Sequence, residues 1–414
     1  MAEANLFPLL LESHFSDLEL RIMTDVIRRI KTNGEITRSA DWQLNRVKEL
    51  GQSEVVIKEA IKILLQNTEL DVKELYKQAA EQDWIRDKTL YTKLKKELKP
   101  YSENEELQQF VEAITEQTNK EFKNITGSLG LVKDTAPGLK SEPLTDAYQR
   151  ILDNAMLDIS SGAFDYNTVA KRAIKELVNS GIRTIDYESG WSNRVQVACS
   201  RAITTGLNQL TSKVAEMNMD TLGTDFVEVS WHATARTGVG VGNHQLWQGY
   251  AYHWNRNGTD PQGYKDFVES TGYGVNPLGL HGYNCRHSFY PFILGVSTRA
   301  YTDEFLEEQR NKANTPKEYN GKEYTSFEAT QRMRTLETRM RAQRQEIKLM
   351  QEGGVNNDDI LAPKVRYRTT MDEYVKFAEK MELSQQKQRI YNDGLGKVGG
   401  GKGVANAYEN DIIR

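Results

Sequence analysis

Apolar residues recur three and four apart along most of this chain, the period of an amphipathic helix. Leu18, Ile22, Val26 and Ile30 mark the first stripe, which Asn33-Gly34 is expected to end. Trp42, Leu44, Val47 and Leu50 form a second, with Thr37, Ser39 and Asp41 as candidate caps and Gly51 as a stop. Ser53 can cap a third helix, whose buried face is Val56, Ile57, Ala60, Ile61, Leu64 and Leu65. Thr68 with Asp71 makes a capping-box-like start for another. A charged stretch over 83–99 ends at Pro100, and one more helix is expected over roughly 103–123.

The period breaks at 126–143, TGSLGLVKDTAPGLKSEP, whose Gly, Pro and Ser/Thr content marks a boundary or an extended arm. Helices resume with Tyr148, Ile151, Leu152, Ala155 and Ile159, ended by Ser161-Gly162. The next stripe is Val169, Ala173, Ile174, Leu177 and Val178, with Asn167 or Thr168 as cap and Gly181 as a left-handed C-cap. A long helix over roughly 192–217 carries Val195, Ala198, Ala202 and Leu210, with Arg194 and Arg201 in its interior. Alternation of period two then appears, with Val227, Val229 and Trp231 against Phe226, Glu228 and Ser230, and it reads as a strand. Glycines 238, 240 and 242 read as a mobile hairpin connection, and Trp247–Trp254 and HSFYPFILGV as further strands. From Ser326 the helical period returns: Met333, Leu336, Met340, Gln343, Ile347 and Met350 make a coiled-coil-like seam. Gly353-Gly354 breaks it, a last helix is expected over 371–391, and a glycine-rich, flexible tail starts at Gly394.

These patterns predict a mainly α chain with a small central α+β module and long C-terminal helices. The expected division is a helical region over 1–125, a linker or arm over 126–143, helices over 144–225, the small module over 226–297, long coiled-coil-like helices over 298–393, and a tail over 394–414.

Charge narrows the function classes. Lys+Arg 54 nearly balances Asp+Glu 58, and a net charge of -4 gives no global drive towards nucleic acid or anionic membrane. Any such contact needs a local patch. Arg334, Arg341 and Lys348 lie seven apart, with Arg332 and Arg339 beside them. That basic helix, 332–348, is either a solvated face or a contact for packaged DNA or an acidic protein surface. A mean hydropathy of -0.65 suits long exposed helices. Two cysteines make no disulfide framework and point to folding in a reducing compartment. No basic start or cleavage site marks the N-terminus as a signal peptide, and no stretch approaches the roughly 20 apolar residues of a membrane helix, so a soluble protein without a membrane segment is expected.

Candidate chemistry concentrates in one stretch, 231–295. It holds His232, His244, His253, His281 and His287, five of the six histidines, together with Cys285. His281, Cys285 and His287 are zinc-type donors on a turn-rich stretch, and a closed tetrahedral site needs four. His244 is the best fourth donor, because the glycine loop can bring it close, and His232 is the next. The expectation is a structural zinc at His244, His281, Cys285 and His287, set against the plainer reading of loop hydrogen bonds among aromatics. Arg236 is a candidate electrostatic anchor.

An enzyme reading uses the same cluster: a metal-dependent hydrolase or nuclease on His281, Cys285 and His287. His281, Asn284 and His287 loosely echo an HNH site, but Pro291 amid aromatics cannot open the helix such a site needs. Cys285 as a nucleophile has no recognisable orienting acid or oxyanion donor. GVGVGNH is followed by no GK[ST], so it is not a phosphate loop. No catalytic residue and no organic cofactor site is therefore expected.

Four stretches in order carry a resemblance: DYESGWSNRVQVACSRAITTGLNQL, VEVSWHATAR…NHQLWQG, NPLGLHGYNCRHSFYPFILGVS and SFEATQRMRTLETRMR. Together, over roughly 140–350, they resemble the minor capsid proteins of tailed phages and prophages of Gram-positive bacteria. That family is related to the minor head (head morphogenesis) proteins of the kind found in phages Mu and SPP1. The resemblance implies a non-enzymatic virion component made in the host cytoplasm. It implies partnership with the portal protein and other head proteins at the portal vertex, in head assembly, DNA packaging or ejection. Relatives often carry Cys-Arg-Cys where this chain has Cys285-Arg286-His287, which keeps a metal donor. Mu-type relatives tend to have an acidic residue near the first motif, where this chain reads Thr234-Ala235-Arg236, which argues against catalysis. The residues carried over are His244, Cys285 and His287 as polar core, with Arg236 and Arg286 as supporting charges. A scaffold-like chaperone that leaves after assembly is a third reading.

Overall fold

A computed structural model of the chain describes residues 6–36, 42–135, 138–161, 164–186, 188–400 and 404. The expected caps Thr37, Ser39 and Asp41, Gly162, and the tail beyond Gly400 apart from Val404 lie outside the described residues.

In chain order the elements are α1 (Leu6–Ile36), α2 (Trp42–Arg86), α3 (Lys88–Lys93), α4 (Glu105–Gly127), β1 (Leu129–Thr135), β2 (Gly138–Pro143), α5 (Leu144–Ser160), α6 (Tyr166–Ser180), β3 (Arg183–Ile185), β4 (Ser192–Arg194) and α7 (Val195–Leu222). There follow β5 (Phe226–Val229), β6 (Ala251–His253), α8 (Phe267–Thr271), β7 (Phe289–Phe292), α9 (Asp303–Asn314), β8 (Lys317–Tyr319), β9 (Lys322–Tyr324), α10 (Ser326–Glu352), α11 (Asn357–Lys380) and α12 (Gln388–Tyr391). The chain is thus mainly helical, with small antiparallel sheets and long C-terminal helices, as its patterning predicts.

Several boundaries differ from those expected. Helix α1 starts at Leu6 and runs through Asn33-Gly34 to Ile36; buried Leu11 and Phe15 extend its stripe upstream. The three helices expected over 42–86 are one, α2. The Thr68 hydroxyl, expected as a cap, is buried and donates back to the carbonyls of Leu64 at 3.1 Å and Leu65 at 3.3 Å, so Thr68 serves as an interior helix residue. The last helix expected over 371–391 is two: α11 begins at Asn357 with Pro363 accommodated in its second turn and ends at Lys380, and α12 follows at Gln388–Tyr391.

The chain forms two compact units. One comprises Met1–Phe7, Glu69–Lys120 and Arg201–Arg332; the other comprises Pro8–Thr68, Glu121–Ser200 and Met333–Arg414.

In the second of these, the stretch 126–143, expected as a boundary or an extended arm, carries two paired strands. Strands β1 and β2 pair antiparallel, and the sheet order is β2-β1-β3-β4. Leu129 and Leu131 face inward beneath α5 and α6, an alternation that the surrounding Gly and Pro disguise. Asp165 caps α6 by accepting from the Thr168 amide at 3.1 Å, in place of Asn167 or Thr168. Gly181 has φ +62 but an extended ψ of 161, so it is not a left-handed cap. A Cβ there would sit 2.8 Å from the Arg194 guanidinium and 2.9 Å from the Glu19 carboxylate. That carboxylate is fully buried. It accepts from the Ile182 amide (2.7 Å), Gln196 Nε2 (2.5 Å) and Gln345 Nε2 (2.7 Å). The α10 seam is buried at Met333, Leu336, Met340, Ile347 and Met350, and Gln343 Nε2 donates across to Thr370 Oγ1 on α11. The basic line on α10 is partly spent within this unit: Arg334 pairs with Glu337, and Lys348 with Glu352. The start of the tail is held, because buried Arg344 makes a bidentate pair with Asp393 (2.7 and 2.8 Å) and donates to the Gly396 carbonyl.

The other unit contains the sheet β6-β5-β7, all antiparallel, with Phe226 opposite His253 and Phe292. Pro291 lies on an edge strand, β7, where its missing donor is tolerated. Val227, Val229, Trp247, Phe267, Leu280 and Phe289 pack with Ala215 and Met219 of α7 into one core, and Cys285 belongs to it. The hairpin β8–β9, absent from the sequence reading, turns on Asn320 (φ +51) and Gly321 (φ +75), the positive-φ pair a two-residue turn demands.

Candidate metal centre

Cys285, His287 and Phe289 fall on alternate positions of the extended chain entering β7, so they share one face. All three are buried, whereas Arg286 between them is exposed. His244 reaches the same place from the opposite loop. It opens a short 3-10 turn, His244–Leu246, with the Asn243 side chain capping Gln245, and its amide donates to the Arg236 carbonyl at 2.9 Å. Trp247 then closes over the cluster, its ring 4.5 Å from His244 and 4.8 Å from His287.

The donor atoms converge. Cys285 Sγ lies 3.9 Å from His244 Nδ1 and 3.6 Å from His287 Nδ1, and the three donors fall within 4.8 Å of one another. Relative exposures are 2% for His244, 1% for Cys285 and 3% for His287. A tetrahedral zinc with Zn–S of about 2.3 Å and Zn–N of about 2.0–2.1 Å puts sulfur and nitrogen about 3.6 Å apart. The observed spacing needs little adjustment to reach that edge length.

The far side of each imidazole is held. His287 Nε2 lies 2.9 Å from Gln248 Oε1, an acceptor, so the proton sits on Nε2 and the Nδ1 lone pair faces the thiol. His244 Nε2 has two neighbours, the Leu278 carbonyl at 2.9 Å and Arg236 Nη2 at 2.8 Å. With its proton on Nε2 the ring donates to Leu278 and offers the Nδ1 lone pair to the cluster. In the other tautomer it accepts from Arg236 and donates to sulfur. The first arrangement is the one that metal-ligating histidines adopt, with the outer N–H on a protein oxygen. In it Arg236 gives up its bond to His244 Nε2 but keeps those to the carbonyls of Leu278 (2.7 Å) and Tyr283 (3.2 Å). Arg236 is therefore an anchor between two loops.

Burial keeps both rings neutral: it pushes His244 down to about 4, and burial with the neighbouring His232 and His244 pushes His287 down to about 2. Burial also pushes the Cys285 thiol up. Without a cation the cluster is uncharged, and binding a metal would release the thiol proton. Two neutral imidazoles, one thiol and outer-shell oxygens make a donor set that fits zinc.

The structure brings together three of the four expected ligands, and His281 is the exception. Its backbone is in the left-handed region (φ +59), as is that of Asn284 (φ +56), and these turns swing it away from Cys285. His281 Nδ1 lies 2.6 Å from Ser212 Oγ, and its ring packs against Tyr273 and Phe289. His253 is also apart, with Nε2 3.0 Å from Thr259 Oγ1. His232 sits beside the cluster, Nε2 2.9 Å from the Arg286 carbonyl. The segment after His287 is strand β7, not the helix an HNH site would require. Sequence reasoning missed Gln248 and the Leu278 carbonyl as outer-shell holders; a backbone carbonyl carries no sequence signal, and Gln248 is marked only by lying four residues after His244.

Among the described residues no helix is long and apolar enough to cross a membrane. No curated protein and no solved structure matches the chain. A family model does: phage minor capsid protein 2, over residues 10–379. That match takes in all three sheets and the whole His/Cys cluster, and so the chain belongs to the phage minor capsid protein 2 family.

Proposed function

We propose that this capsid-family chain is a non-enzymatic structural component of the phage head, acting at the portal vertex in head morphogenesis, DNA packaging or DNA ejection. It is made in the host cytoplasm and binds the portal protein and neighbouring head proteins. Family membership supports the head location. The observation that carries the non-enzymatic reading is the burial of His244, Cys285 and His287, whose functional atoms face one another and not a substrate. These three residues hold a structural zinc, which would tie the 244 loop to the strand entering β7 in a unit whose sheet has only short strands. Contact with packaged DNA falls to the exposed part of the basic line, such as Arg339, because Arg334 and Lys348 already hold carboxylates.

The test is mass spectrometry of purified virions together with capture of the full chain on its portal protein. Presence in particles and a portal complex is the expected result. Absence from both would sink the proposal, and presence only in immature heads would favour a departing scaffold.

A further inference from the structure

Three protein donors leave one position of a tetrahedral ion open. An open position is the mark of a catalytic zinc, and a closed one of a structural zinc. We infer that His232 is the fourth ligand and closes the site. This inference rests on the zinc reading above and deepens it.

Four observations point to His232. Its ring meets that of His287 edge-to-face at 4.6 Å, nearer than the 5.2 Å between His244 and His287. Its backbone amide donates at 2.9 Å to Gln248 Oε1, the oxygen that also holds His287 Nε2, so one side chain fixes both residues. The segment is zipped to the chain carrying Cys285 and His287: Ser230 N donates to the Ser288 carbonyl at 2.8 Å, and Ser288 N to Ser230 Oγ at 3.0 Å. Finally, its Nε2 already rests on the Arg286 carbonyl, as His244 Nε2 can rest on that of Leu278, which leaves Nδ1 as the free nitrogen.

His232 stands outside the group of three whose donors lie within 4.8 Å. Its side chain is exposed, so a side-chain rotation can carry a ring nitrogen towards the ion. His281 cannot serve, being held on Ser212. The ligand set becomes His232, His244, Cys285 and His287.

The probe is cobalt(II) loaded onto the full chain, read by visible absorption, with azide as a test for an exchangeable position. Wild type should show a thiolate-to-cobalt band and tetrahedral absorption that azide leaves unchanged. His232→Ala should bind cobalt at least ten-fold more weakly in a chelator competition and should become azide-sensitive. If wild type already responds to azide, or His232→Ala matches its affinity, the inference is wrong while the three-residue zinc site stands. If wild type binds no cobalt, or the thiolate band survives in Cys285→Ser, the zinc reading itself fails.

Discussion

Glu19→Ala should destabilise the unit that contains α1 by about 3–5 kcal/mol, the net of several unpaired buried donors at about 1–3 kcal/mol each. The carboxylate is 0% exposed and accepts three short hydrogen bonds, from Ile182 N, Gln196 Nε2 and Gln345 Nε2. Alanine leaves three buried donors unpaired, at about 1–3 kcal/mol each, partly offset by no longer burying a carboxylate. It also removes a negative charge that acts on Arg183 and Arg341. Glu19→Gln should cost less, about 1–2 kcal/mol, because its shape is kept and one hydrogen bond per reversed partner can be recovered. Gln345 can supply that recovery: its Oε1 is buried without a partner, so flipping the amide presents an acceptor to the new side-chain N–H. The chain has two units, so a single unfolding midpoint is a poor readout. Hydrogen exchange of peptides spanning Ile182 reads the bond directly. Protection should fall steeply in Glu19→Ala and modestly in Glu19→Gln. Equal protection in wild type and Glu19→Ala would refute the claim that this carboxylate holds α1, β3, α7 and α10 together.

Gly206→Ala should destabilise despite better helix propensity: a Cβ would lie 2.0 Å from Tyr76 Oη and 2.5 Å from its Cζ, on a ring bonded to Thr118. Overpacking costs about 1–3 kcal/mol against a propensity gain of about 1 kcal/mol, and a second change, Tyr76→Leu, should restore part of the loss in a denaturation cycle. Asp393→Ala should cost about 3–5 kcal/mol by leaving the Arg344 guanidinium, 1% exposed, without its partner, and Arg344→Met with Asp393→Ala should be the milder variant in thermal melts. Acid should unfold the His-bearing unit early. Burial holds His281 down at about 4, so below the ordinary value near 6.5 the unfolded chain takes up a proton that the folded one refuses. Stability is unaffected above about pH 6.5 and falls by about 1.4 kcal/mol per pH unit below it for each such histidine. Melting temperatures of chelator-treated protein at pH 7.5 and 5 check this, and a flat profile would contradict it.

Much of the fold was legible wherever one period ran uninterrupted. The stripe Met333–Met350 of α10 and the alternation at Phe226–Val229 are both where the pattern places them. Misreadings came from local signals overruled by packing. Thr68 looks like a cap until its burial and its bonds to Leu64 and Leu65 are seen. The hairpin at 129–143 was hidden because only Leu129 and Leu131 carry its inward face. Asn320-Gly321, by contrast, was a readable turn signal. At the site, the closeness of two zinc-type donors in sequence singled out Cys285 and His287, and the glycine loop singled out His244. His281 was misplaced because spacing alone does not reveal positive φ at His281 and Asn284.

The central claim is that the imidazoles and thiol around Cys285 stabilise a structural unit by sharing one metal ion. Zinc content and melting temperature, measured on wild type and Cys285→Ser before and after chelation, test it most directly. The account predicts one zinc per wild-type chain, a melting temperature lowered by chelation, and a Cys285→Ser variant that starts low and does not respond. A metal-free wild type that chelators leave unchanged, and that melts with Cys285→Ser, would contradict it.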